Sequence, residues 1–143
     1  MSVELPSAPV DDIIREQAGS LRVGAGATEE LATWIQDRGA TLAVDAAEHA
    51  TGDGRKTITA ADFGVADVPD PEAPSLPIAP VDRIARLDID DRYRVGEDAR
   101  IALAVLLEEA AAEVASGAAT LARHAGRRTV QAEDVRTYLD LLE

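Results

Sequence analysis

Apolar positions along this chain recur at helical spacing in two long stretches. From about Ala27 to His49, Leu31, Trp34, Ile35, Leu42 and Ala46 form one stripe. From about Glu97 to His124, Ile101, Leu103, Leu106, Leu107, Ala110, Val114, Ala118 and Leu121 form another. A shorter helix is predicted ahead of each, from near Ala8 and Ala79, because Pro9 and Pro80 suit a first helical turn that needs no backbone donor. A third helix is predicted near Thr59, where Thr59 and Asp62 have capping-box spacing, and another near Gln131, with Val135, Tyr138, Leu139 and Leu142 on its apolar face. In the first half this last helix dissolves into irregular chain after Val65. The fold expected is all-α.

The two halves repeat one another. Leu5-Pro6-Ser7-Ala8-Pro9-Val10-Asp11 matches Leu76-Pro77-Ile78-Ala79-Pro80-Val81-Asp82 at an offset of 71. Gly54-Arg55-Lys56-Thr57-Ile58 matches Gly126-Arg127-Arg128-Thr129-Val130 at an offset of 72, followed by Asp62 against Asp134. Ordered landmarks at nearly constant spacing indicate duplication. The copies are residues 1–67 and 76–143, joined by residues 68–75, whose Pro69, Pro71 and Pro74 favour an extended connector. A short-long-short set of helices cannot bury its apolar surface alone, so each copy needs a partner of its own kind. A tether makes that pairing intramolecular, at an effective concentration of about millimolar. One chain should form one pseudo-dimer.

Composition narrows the chemistry. Aromatics are 3% of the chain and there is no cysteine, which removes disulfides and thiolate metal sites. His49 and His124 are the two histidines, too few for a histidine-built metal centre. No nucleophile–base set, phosphate loop or metal-ligand spacing is present in the sequence, so neither an enzyme nor a cofactor or small-molecule substrate is expected. No long apolar span appears, and a cytoplasmic protein without a membrane partner is expected. The net charge is −13, with 27 acidic residues against 14 basic, all but Lys56 of them arginine. That balance reads either as adaptation to a salt-rich cytoplasm, where the Debye length falls to about 3 Å, or as an ordinary acidic protein.

The segments Leu76-Pro77-Ile78-Ala79-Pro80-Val81-Asp82-Arg83-Ile84, Gly96-Glu97-Asp98-Ala99-Arg100 and Leu121-Ala122-Arg123-His124-Ala125-Gly126-Arg127-Arg128-Thr129-Val130-Gln131-Ala132-Glu133-Asp134 closely resemble the archaeal histones. The first copy follows the pattern more loosely, through Leu5 to Ile14, Arg22-Val23, Arg55-Lys56-Thr57 and Asp62. The resemblance implies two tandem histone folds paired in a handshake. It also implies a sequence-tolerant hold on duplex DNA, with the protein at the chromosome or nucleoid.

In that family an arginine of the first loop enters the minor groove beside a threonine of the second. The matching residues are Arg22 and Arg94, Thr57 and Thr129. Cross-pairing of the halves should set Arg22 beside Thr129, and Arg94 beside Thr57, along one DNA-facing ridge. By the same resemblance Arg55, Lys56, Arg127 and Arg128 contact phosphates, Arg15, Arg83 and Arg86 add further contacts, and the pairs Arg55–Asp62 and Arg127–Asp134 brace the loops. Leu121, His124 and Asp134 match the surface through which such dimers associate, so two chains could join through their second copies. The position matching His124 in the first copy is Gly52, with His49 a turn earlier.

The copies differ in charge. Residues 1–72 carry −9 and residues 73–143 carry −4, and Asp12 stands where the second copy has Arg83. DNA affinity should lean on the second copy. The competing reading, favoured by the overall acidity, is a histone-fold module that binds proteins and has little affinity for DNA.

Overall fold

A computed structural model describes residues 3–142. In chain order these form α1 (Ser7–Ala18), β1 (Arg22–Val23), α2 (Ala25–Gly52), β2 (Thr57–Ile58), a 3-10 helix (Ala60–Phe63), α3 (Ile78–Ala85), β3 (Arg94–Val95), α4 (Glu97–His124), β4 (Thr129–Val130) and α5 (Ala132–Leu142). Each copy therefore has a short, a long and a short helix, the last of the first copy reduced to one 3-10 turn. Pro6 and Pro77 hold the extended backbone that precedes α1 and α3. The expected capping box is formed: Thr59 N–H donates to Asp62 Oδ2 at 2.8 Å and caps the 3-10 helix. Glu97 and Asp98 in the first turn of α4, with Arg123 and His124 in its last, match the helix dipole.

The chain divides into two compact units that are not the two copies. One takes Gln36–Leu107 with the described residues up to Leu5; the other takes Pro6–Ile35 with those described from Glu108 onward. Each unit thus draws on both copies, as intramolecular pairing of two histone folds requires. The expected all-α architecture is the observed one, and within it each unit also holds a two-residue parallel strand pair, β2 with β3 and β1 with β4. Segments this short show no alternation in sequence; only the partner loop makes them strands.

The unit containing Gln36–Leu107 buries Ile58, Leu76, Val81, Ile84, Leu103 and Leu107 together with Ala43, Ala46, Ala47 and Ala50 of α2. The other buries Val10, Ile14, Leu31, Ile35, Val114, Val130 and Val135. Alanine lets helices approach closely, and this carries α2 through a stretch where the large apolar residues thin out. Trp34 and Leu42, expected in the core stripe, are only half-buried. Among the described residues no helix is long and apolar enough to cross a membrane.

Candidate nucleic-acid interface

Both long helices end in the same way, and that ending aims the basic loop. Gly54 and Gly126 have φ of 73°, the left-handed conformation that ends a helix and is open to glycine at no steric cost. The following residues close the turn: Arg55 N–H donates to Ala50 O at 2.9 Å and Arg127 N–H to Ala122 O at 3.0 Å. The chain then leaves the helix axis within one residue, carrying Arg55-Lys56-Thr57 and Arg127-Arg128-Thr129 outward.

Each basic loop meets the first loop of the other copy. In one unit Thr57 pairs with Arg94 and Ile58 with Val95; in the other Arg22 pairs with Thr129 and Val23 with Val130. Arg94 N–H donates to Lys56 O at 2.9 Å, and Arg22 N–H to Arg128 O at 2.8 Å. The cross-pairing expected from the sequence is the observed register. The apolar member of each strand, Ile58 or Val130, is fully buried and anchors the pair, while Arg22, Lys56, Thr57, Arg94 and Arg128 are exposed and Thr129 is half-buried.

The cations differ sharply in how far they are already neutralised. Among the described residues, Arg22, Lys56, Arg94 and Arg128 have no carboxylate partner. Arg15 is 2.5 Å from Asp11, Arg83 is 2.9 Å from Glu4 and Arg86 is 3.1 Å from Asp82. These three pairs are exposed enough that parting them costs little.

Arg55 and Arg127 act as braces. Arg55 holds both oxygens of Asp62, at 3.0 and 2.9 Å, and also Asp53; Arg127 holds both oxygens of Asp134, at 2.6 and 2.5 Å. The Arg55 guanidinium is the main reason the Asp62 carboxyl lies well below the usual carboxylate range; it outweighs burial, and the Thr59 N–H and His49 add to it. Burial pushes the Asp134 carboxyl up, but the bonds from Arg127 and from Gln131 N–H prevail and hold it low. The second copy has Gln131 where the first has Thr59, so Asp134 lacks the hydroxyl donor that reaches Asp62 at 3.2 Å.

Of the residues assigned to contact between chains, His124 is exposed and Leu121 half-buried. Asp134 has a side chain only 2% exposed, with both oxygens engaged. His49, the nearest counterpart in the first copy, places Nδ1 2.5 Å from Asp62 Oδ1 of its own fold.

Three contacts escaped the sequence reading. Arg123 Nη2 donates to Ala18 O at 2.8 Å and ties the end of α1. Asp98 Oδ2 accepts the Ala60 N–H at 3.0 Å and supports the 3-10 helix. Tyr93, buried at 9% exposure, shares a hydrogen bond through its hydroxyl with Thr51, and the Arg92 guanidinium lies 5.2 Å from its ring centroid. Asp98 and Arg92 belong to differences between the copies, since Gly26 stands opposite Asp98 and α3 is followed by a longer connection than α1. That difference was the available signal. Among the described residues no group of His, Cys, Asp or Glu could hold a metal ion.

Two short-long-short copies with cross-paired loops define a histone fold, and the comparisons agree. The family described as histone-like transcription factor (CBF/NF-Y) and archaeal histone matches residues 3–66 and again residues 74–139, and the chain belongs to it. The family is one of histones and histone-like transcription factors, not of enzymes. Over 61 residues the chain is 59% identical to the archaeal histone HAN1 of Thermococcus zilligii, spanning 43% of this chain and 88% of that protein. Over 64 residues it is 45% identical to the probable archaeal histone 3 of Methanocaldococcus jannaschii, spanning 45% of this chain and 92% of that one. The crystal structure of the histone from Methanopyrus kandleri superposes with a TM-score of 0.71 at 27% identity, covering 94% of this chain and 92% of its own. A Thermus thermophilus protein with a TM-score of 0.73 at 18% identity, covering 97% of each chain, shares the fold.

Proposed function

We propose that the chain binds double-stranded DNA with little sequence preference, bends it and acts at the nucleoid as a chromatin or local architectural protein. The observation that carries this reading is the register of Arg22 with Thr129 and of Arg94 with Thr57, each arginine exposed and, among the described residues, free of carboxylates. An arginine held by a backbone strand pair can enter a minor groove without choosing among bases. Lys56 and Arg128 serve beside them as phosphate contacts, Thr57 and Thr129 as hydroxyl partners, and Arg55 and Arg127 as cations that also brace the loop. Arg15, Arg83 and Arg86 are secondary contacts, available once their exposed partners part. The net charge of −13 works against DNA away from these loops, so binding is local, and each phosphate contacted there lowers log affinity by about 0.9 for a tenfold rise in salt.

The copies, residues 1–67 and 76–143 with the connector 68–75, act as one preformed dimer. Chains associate through the second copy, with His124 and Leu121 in contact and Asp134 behind them holding Arg127. The acidity suits a salt-rich cytoplasm, where it is screened.

Titration against duplex DNA from low to molar salt tests the reading, with Arg22→Ala and Arg94→Ala beside the wild type. Binding that weakens in each variant and further in the double supports it. The acidity also favours the second reading, a histone-fold module for protein partners; a wild type that binds DNA at no salt concentration establishes that reading instead.

A further inference from the structure

The two loop pairs are not equivalent, and the difference lies in the segment after α3, whose counterpart in the first copy is one residue shorter and begins with the last turn of α1. Between α1 and β1 the chain needs only Gly19 to Leu21, whereas between α3 and β3 it runs from Arg86 to Tyr93. Asp88, Asp90 and Asp91 stand there, and carboxylates at the end of a helix oppose its dipole, which ends α3 early. The non-helical stretch then folds on itself. Asp90 Oδ1 accepts the Arg92 N–H at 3.0 Å, and Asp90 O accepts the Tyr93 N–H at 3.1 Å. Tyr93 drops into the core and is held at its hydroxyl by Thr51, so its ring offers a fixed surface for the Arg92 guanidinium.

This places Arg92 on a concavity with Thr51, Gly54, Arg55, Lys56 and Tyr93, and no acidic side chain lines it. Asp90 is engaged with the backbone of its own turn, though its charge also acts on Arg92, and Asp53, which is exposed, pairs with Arg55. The corresponding concavity at the other loop pair is lined by Ser20, Leu21, Arg22, Arg128 and Thr129 and has no counterpart of Arg92.

We propose that this concavity seats a DNA phosphate between Arg92 and Lys56, so that the loop pair Thr57–Arg94 grips DNA by one phosphate more than the pair Arg22–Thr129. The proposal rests on the DNA-binding reading above. A guanidinium already stacked on a ring loses less freedom on meeting a phosphate than a free side chain does. Tyr93 and Thr51 are positioning residues; Arg92 and Lys56 touch the ligand.

The test is a fluorescence titration of the full chain with a short mixed-sequence duplex over a range of potassium chloride, comparing wild type, Arg92→Gln, Arg92→Lys and Arg38→Gln. Arg38 is an exposed cation in the middle of α2 and controls for net charge. The slope of log affinity against log salt should become shallower by about 0.9 in Arg92→Gln, stay at the wild-type value in Arg38→Gln, and be restored in Arg92→Lys. A slope in Arg92→Gln equal to wild type overturns the proposal while DNA binding stands. Equal losses in Arg92→Gln and Arg38→Gln also overturn it, by reducing the effect to overall charge. A wild type that never binds removes the underlying reading and this inference with it.

Discussion

His49 Nδ1 stands 2.5 Å from Asp62 Oδ1, so the histidine of the first copy is engaged within its own fold. In the second copy His124 is exposed, and Asp134, the counterpart of Asp62, is held by Arg127 and Gln131. Association between chains should therefore run through one copy only and stop at two chains. In sedimentation experiments with and without DNA, His124→Ala combined with Leu121→Asp should shift the protein toward single chains, whereas His49→Ala should leave the distribution unchanged. Long assemblies in the wild type would contradict this.

The buried carboxylates set the acid limit of the fold. Both Asp62 and Asp134 titrate below an unfolded aspartate, so the unfolded chain binds protons first as pH falls. Their contribution is complete above the unfolded value of about 3.9 and is lost as pH drops through their lower folded values. Chemical denaturation should show stability falling below about pH 4. Asp134→Asn, which weakens the clasp on Arg127 and the acceptor for Gln131 N–H, should cost about 2 kcal/mol at neutral pH and flatten that acid slope.

Gly117 of α4 lies where a Cβ would run into the ring of Tyr138 on α5. Alanine in a helix gains about 1 kcal/mol over glycine, but overpacking costs about 1–3 kcal/mol, and the clash with a half-buried ring prevails. Gly117→Ala should lower the melting temperature, and Gly117→Ala with Tyr138→Ala should recover part of the loss. A rise in melting temperature for the single variant would show that the ring swings aside freely.

A protease site placed in residues 68–75 tests the mixed make-up of the units. Each unit draws on both copies, so cleaved halves should remain together through gel filtration. Their melting temperature should become dependent on concentration, because pairing is then bimolecular. Halves that separate as folded monomers would refute intramolecular pairing.

Much of the architecture was legible in residue order. The repeated Leu-Pro openings, the Gly-Arg-basic-Thr runs and the two apolar stripes located both copies and the helices within them. The aspartates at Asp62 and Asp134 stood at brace spacing from Arg55 and Arg127. Trp34 was less legible, since helical spacing assigns a face but not a depth, and it is half-buried. The strand pairs were invisible because two residues carry no period.

By itself, then, the sequence determined the duplicated unit, its helices and which cations sit in its loops, since these follow from local spacing and turn chemistry. Tertiary structure decided which of those cations are free. Asp11, Glu4, Asp82, Asp62 and Asp134 pair with Arg15, Arg83, Arg86, Arg55 and Arg127, while Arg22, Lys56, Arg94 and Arg128 have no carboxylate partner among the described residues. It also decided that Tyr93 is buried beneath Arg92, a relation made with Thr51, 42 positions away. The physical reason is that charge pairing and burial depend on distance in space, and the folded chain sets that distance by bringing the loops of two copies together.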